Sequence, residues 1–148
     1  MYALKGSNPA HVIGQTISHY RILAKLGEGG MGSVYRAQDL ALGREVALKF
    51  LPQNTEADPQ ARERLLQEAR TASHLNHPSI ATIYEVNESE NLPFMAMELV
   101  TGATLKQILQ QGALEARQFL EIALQMAEGL QEAHRSGVFH GDVNPPIS

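Results

Sequence analysis

Apolar positions along this chain change period twice, and the changes divide it. Over residues 20–51 the period is two and glycine interrupts it. Ile22, Ala24 and Leu26 alternate up to "GEGGMG", Val34 and Tyr35 follow at once, and "LGRE" at residues 42–45 turns into "VALKFL". Such alternation between turn residues predicts antiparallel strands. From residue 59 the period becomes helical. Asp58 is suited to cap a helix with Pro59 at its first position, running to about Leu75, where "HPSI" ends it. Two further strands are predicted over residues 80–86 and 94–99, joined by the polar loop "NESEN".

Beyond Leu99 the pattern is helical throughout. Thr104 and Gln107 have capping-box spacing at the start of a short helix, Gly112 suits its end, and a longer helix is predicted over residues 115–135. On that helix Gln118, Glu121, Gln125, Glu128 and Glu132 form a polar stripe. Phe119, Ile122, Ala123, Met126, Ala127, Leu130 and Ala133 fill an opposing arc of roughly 160°, wider than the usual minimum of about 100°. An arc that wide calls for cover from several neighbours. The expected fold class is α+β: a five-stranded antiparallel sheet with one inserted helix, then helices only. The division falls near residues 100–102, and residues 1–16 read as a loose lead-in around Gly6, Ser7, Asn8 and Pro9.

Composition narrows the possibilities. The 148 residues suffice for one domain with a sizeable core, and 43% are apolar, as in ordinary globular proteins. The formal charge is -4 with no basic block, so nucleic acid is not an expected partner. With no cysteine, disulfides, thiolate metal sites and a cysteine nucleophile are excluded, a pattern that fits a cytoplasmic protein. No apolar run approaches membrane-spanning length, and the N-terminus does not read as a signal peptide. Six histidines, His74 and His77 among them, lack a third ligand at metal-site spacing.

Candidate chemistry begins at the glycines. "GEGGMGSV" matches G-x-G-x-x-G-x-V through Gly27, Gly29, Gly32 and Val34. A dinucleotide-binding loop should open a helix, whereas a β-type run follows here. A Walker A loop needs a lysine directly after its last glycine, where Ser33 stands. The third phosphate-binding reading is a hairpin tip over nucleotide phosphates, where glycine lets backbone N–H groups approach the oxygens. The bland reading is a flexible hairpin.

Two charges sit on apolar faces. In "VALKFL" both faces of the strand are apolar except at Lys49, so cover on both sides is expected. In the helix from Pro59, Leu65, Ala69, Ala72 and Leu75 share one face, and Glu68 falls within its arc. A charge buried alone costs several kcal/mol, so the simplest expectation is that Lys49 and Glu68 pair. A snorkelling lysine and a rim glutamate are the alternative.

With these residues in view, the chain resembles the protein kinases, specifically the bacterial Ser/Thr kinases of eukaryotic type. "GEGGMGSVY", "VALKF", Glu68 in "LLQEAR", "LNHPSI", "MELV" at residues 97–100 and "HGD" at residues 140–142 occur in family order. The resemblance spans about residues 17–145. It implies a partial kinase domain over residues 17–148, with a nucleotide-binding lobe to residue 100 and the start of a helical lobe after it. It also implies ATP as ligand. Leu26, Gly27, Glu28, Gly29, Gly30, Met31 and Gly32 would form the loop over the phosphates, with Lys49 on the α- and β-phosphates and Glu68 holding it. Val34 and Ala47 would sandwich the adenine, Met97 would be the gatekeeper, and the backbone of Glu98 and Val100 would bond the adenine edge. Asp142 would serve as catalytic base, and the complete family uses Mg2+.

The pattern departs from the family after Asp142. The catalytic loop there usually reads H-R-D-L-K-P-x-N. Here Gly141 replaces the arginine, Asn144 the lysine that meets the γ-phosphate, and Ile147 the magnesium-binding asparagine. The expectation is therefore the ATP-binding portion of a Ser/Thr kinase, truncated in its catalytic loop and inactive alone. The alternative is a non-catalytic module that binds a partner through the apolar arc of its last helix.

Overall fold

The computed structural model describes residues 12–29, 32–50, 59–89 and 92–139, with the side chains of Ala61, Arg62 and Leu65 excepted. The strands are β1 (Thr16–Ile17), β2 (Tyr20–Gly29), β3 (Gly32–Asp39), β4 (Arg44–Phe50), β5 (Ile83–Ser89) and β6 (Leu92–Met97). The helices are α1 (Pro59–Ala72), α2 (Leu105–Gln110) and α3 (Ala116–Arg135). The strands form one antiparallel sheet in the order β1-β2-β3-β4-β6-β5. The α+β class holds, with one more strand than the apolar pattern predicts. β1 pairs Thr16 with Arg21 and Ile17 with Tyr20. Only main-chain hydrogen bonds define so short a strand, so no side-chain period announces it.

Within the segment read as a lead-in, the pairing continues below β1. Ile22 N–H donates to the Gln15 carbonyl at 2.9 Å and Gly14 N–H to the Ile22 carbonyl at 2.8 Å, while Val12 is buried. This covers the start of the β2 edge, which would otherwise expose unpaired backbone groups.

The period-2 rule separates the two faces of the sheet as expected. Tyr35, Ala37, Val46, Leu48, Phe50, Phe94 and Ala96 point to one side and form the core with Tyr20 and Ile22. Leu48 and Phe94 are 0% exposed. Burying each such side chain contributes about 1.5–3 kcal/mol, which pins the register, since a one-residue slip would turn the whole set to the other face.

Polar contacts close the far end of the sheet. The Asp39 carboxylate, 1% exposed, accepts hydrogen bonds from the Ala41 and Leu42 N–H groups at 3.0 Å each and lies 3.6 Å from Arg44 Nε. The Arg44 guanidinium stacks over Tyr84 at 3.7 Å, and the Tyr20 hydroxyl donates to Glu85 at 2.5 Å. Desolvation pushes the Asp39 carboxyl up, but the Leu42 and Ala41 N–H groups, His19 and Arg44 outweigh it and hold it below its ordinary value. Burial first, then the Glu85 carboxylate, pushes the Tyr20 phenol well above its ordinary value.

The helices follow the sequence signals closely. Thr104 caps α2 in a complete capping box with Gln107, and α3 starts within a residue of its predicted position. α1 ends at Ala72, earlier than expected, and Leu75 is buried in the turn that follows. Asp58, expected as its cap, lies outside the described residues.

Candidate functional site

The glycine segment folds as the tip of a hairpin. β2 and β3 stay paired to Gly29↔Gly32, leaving two residues between them. Gly32 has φ 106, in the left-handed region where a side chain is strained, so the tip requires glycine there. A hairpin, with β3 running straight on, excludes the dinucleotide-binding loop that opens a helix. Gly30 and Met31, read as part of the phosphate cover, lie outside the described residues.

Register places the remaining candidates. Val34 pairs with Lys49 and Lys49 with Met95, so these three side chains stand in one row across β3, β4 and β6. One step along the same face, Arg36, Ala47 and Met97 form the next row. Directly opposed residues have Cβ atoms about 4.5–5.5 Å apart. This is the face turned away from the core. Val34, Lys49, Met95 and Met97 are half-buried on it and Ala47 is buried, so Lys49 sits on an apolar floor beside the glycine hairpin. Cover on both sides of β4, expected from the sequence, is complete only on the core side.

The expected Lys49–Glu68 ion pair is not formed. Among the described residues no ion pair engages either side chain, and Glu68 is exposed. The reason lies in the rotation of α1, which buries Leu66 and Ala69. At about 100° per residue Glu68 lies roughly 130° from their mean direction. The sequence reading took Leu65, Ala69, Ala72 and Leu75 as the buried face, which placed Glu68 inside its arc between Leu65 and Leu75. An exposed glutamate keeps its hydration and needs no partner, so burial does not drive the pairing.

At the end of β6 the chain leaves the sheet through residues 98–100. Glu98 N–H donates to the Thr82 carbonyl at 2.8 Å, and Thr82 N–H donates to the Glu98 carboxylate at 3.0 Å. Val100 is 70% exposed and Leu26 52%, leaving apolar side chains open to solvent at both of these positions. Below this connection Gly129 of α3 approaches the Ser79–Ile80 turn so closely that a Cβ there would lie 3.3 Å from the Ser79 carbonyl oxygen. His77 Nδ1 accepts the Ser79 N–H at 3.1 Å in the same turn, a structural use of a histidine weighed as a metal ligand.

Sequence reasoning missed Met95, Thr82 and Gly129. Met95 was within reach, because strand alternation puts it on the same face as Met97, which the family resemblance singles out. Thr82 and Gly129 act through backbone proximity, which leaves no pattern in one sequence. His140, Gly141, Asp142, Asn144 and Ile147 lie outside the described residues. Among the described residues no group of three His, Asp or Glu side chains could hold a metal ion, and no helix is long and apolar enough to cross a membrane.

A half-buried lysine with no ion pair among the described residues, on an apolar floor beside a glycine hairpin, suits an anionic ligand with a flat apolar part. Comparisons with known proteins bear on the family. The family described as "Protein kinase domain" matches residues 20–146. The serine/threonine-protein kinase PrkC of Bacillus subtilis is 39% identical over 136 residues, which are 90% of this chain and 21% of that protein. The serine/threonine-protein kinase PknA of Mycobacterium tuberculosis is 40% identical over 140 residues, 90% of this chain and 32% of that protein. Among solved structures, the PknI kinase domain of M. tuberculosis superposes with TM-score 0.78 at 32% identity, covering 89% of this chain and 54% of that one. The chain thus spans a fifth to a third of these curated relatives and about half of that solved domain.

Proposed function

The chain belongs to the protein kinase family, and from that premise we propose that it is an ATP-binding portion of a Ser/Thr protein kinase. Residues 17–100 form the nucleotide-binding lobe and residues 101–148 the start of the helical lobe. The observation that carries the reading is the row of Val34, Lys49 and Met95 beside the glycine hairpin. Lys49 supplies a fixed positive charge for the phosphates, and the hairpin from Leu26 to Gly32 covers them with backbone N–H groups. Val34, Ala47 and Met97 offer an apolar bed for a planar base, and the backbone at Glu98 and Val100 its hydrogen-bonding edge. Glu68 reaches Lys49 only if α1 rotates from the position described. The proposed compartment is the cytoplasm, where ATP is supplied.

In its complete relatives the proposed reaction is γ-phosphoryl transfer to Ser or Thr hydroxyls, where Mg2+ neutralises charge on the phosphates. Asp142 stands at the position that orients or deprotonates the accepting hydroxyl. Ile147 and Asn144 supply neither the magnesium ligand nor the lysine of that loop, so residues 1–148 alone are expected to bind ATP without transferring phosphate. Thermal unfolding with and without ATP tests the binding. At 100 times the dissociation constant a ligand stabilises by about 2.7 kcal/mol. Stabilisation that disappears in Lys49→Met supports the reading, and its absence from well-folded wild-type protein refutes it. Asp142-dependent phosphate transfer by this polypeptide would refute the inactivity.

A second reading rests on α3, where Phe119, Leu120 and Leu124 are 58%, 64% and 59% exposed. Contiguous apolar side chains on one surface mark an interaction site. In this reading the chain is a non-catalytic module that docks a protein partner there. A Leu124→Glu variant that loses association while keeping its fold would favour it.

A further inference from the structure

We propose that Arg36 is a specificity-determining residue whose guanidinium leaves Glu45 when nucleotide binds and stacks against the base. This role rests on the ATP-binding reading and adds to it a side chain outside both the glycine hairpin and the connection at residues 98–100.

Across β3, β4 and β6 the face that carries the apolar bed holds two cations, Lys49 and Arg36. They stand in different rows. Lys49 pairs with Val34 beside the glycine hairpin, whereas Arg36 lies two residues farther along β3, about 7 Å at the rise of a strand. Phosphates held under the hairpin therefore meet Lys49 first, and Arg36 flanks the part of the floor on which a base would rest. Its row runs Ala24, Arg36, Ala47 and Met97, so both immediate neighbours are alanines. Alanine carries nothing beyond Cβ, and neither neighbour walls in the long side chain between them.

The charge of Arg36 has one weak anchor. Its Nε lies 3.9 Å from Glu45 Oε2, the two side chains are 46% and 44% exposed, and among the described residues Arg36 makes no hydrogen bond. An exposed pair at that separation contributes little and is readily exchanged. A guanidinium is planar, weakly hydrated and inclined to stack on aromatic faces, and a purine over Ala47 presents such a face one strand away. Lys49, a compact point charge, suits phosphate. Arg36 suits the ring. Glu45 competes for the guanidinium from the next row of the same face, where it pairs with Gln38.

The test measures binding of ATP and of inorganic tripolyphosphate by calorimetry at about 0.15 M salt. The readout is the ratio of the two affinities, in which a general charge effect on the two anions cancels. Arg36→Ala is expected to lower the ratio by about two- to fivefold while still binding tripolyphosphate, which shows that it is folded. Arg36→Lys keeps the charge but loses the plane, and is expected to lower the ratio nearly as far. Glu45→Gln removes the competing carboxylate and is expected to raise it. An unchanged ratio in Arg36→Ala overturns the proposal and leaves ATP binding standing. A wild-type ratio in Arg36→Lys overturns the stacking, and a Glu45→Gln ratio no higher than wild type overturns the exchange with Glu45. Wild type that binds neither probe overturns both the proposal and the ATP-binding reading.

Discussion

Removing the Asp39 carboxylate should loosen the end of the sheet farthest from the glycine hairpin. Its Oδ1 accepts two backbone N–H groups, from Ala41 and Leu42, at 3.0 Å each. Hydrogen bonds to a charged group contribute about 1.5–3 kcal/mol each. Ala41 and Leu42 are exposed, so water can recover part of what truncation breaks, and the low end applies. Asp39→Ala is therefore expected to cost about 3 kcal/mol. Asp39→Asn keeps one oxygen for both N–H groups but turns an amide donor toward Arg44 Nε, now 3.6 Å from Oδ2. It should cost about half as much. The pH dependence has a definite sign. Asp39 is held below its ordinary value of 3.8 in the folded chain, so its charge stabilises the fold above that value. That contribution disappears as pH falls through the lower folded value, and the gap between wild type and Asp39→Asn should narrow from pH 6 toward pH 3. The chain has no tryptophan, so urea unfolding is followed by far-ultraviolet circular dichroism. A cost below about 1 kcal/mol for Asp39→Ala, or a gap to Asp39→Asn that stays constant with pH, would refute the reasoning.

Other substitutions test separate parts of the structure. Ser18 occupies the two-residue turn between β1 and β2 with φ 55, and Ser18→Gly should stabilise by about 0.5–1 kcal/mol, read as a higher melting temperature. Thr104→Ala removes the cap of α2 and should cost about 1 kcal/mol, with faster amide exchange at Gln107, whereas Thr104→Ser should keep both. At Gly129 the added methyl of Ala meets the Ser79 carbonyl oxygen at 3.3 Å, a tight contact that the helix propensity gain of about 1 kcal/mol offsets. Gly129→Ala should thus melt within a few degrees of wild type. Gly129→Leu has no room for its outer carbons and should cost about 1–3 kcal/mol in urea unfolding, parting α3 from the turn before β5.

Reading the chain unaided succeeded where local rules bind tightly. Alternation in "VALKFL" located β4 and separated Leu48 from Lys49 because a strand offers only two faces. The Thr104–Gln107 spacing located α2 because the capping box is a contact between residues three apart. It failed where the answer depends on which part of a broad surface meets a neighbour. On α1, residues 65 and 66 are both leucine, and centring the buried face on Leu66 rather than Leu65 swings Glu68 from the inside to the outside. The sequence contains both choices equally.

The candidate site divides along the same line. Residue types and local order determined the glycine hairpin and the lysine on β4, since each follows from period and turn chemistry within a few residues, whereas Met97 was marked by the family resemblance. The tertiary structure alone decided that Lys49 stands between Val34 and Met95, that Glu68 faces solvent, and that the Glu98 carboxylate reaches back to Thr82. Register, helix rotation and a ladder that ends one bond early are set by which surfaces pack together. Packing joins residues far apart in the chain, where no spacing rule reaches.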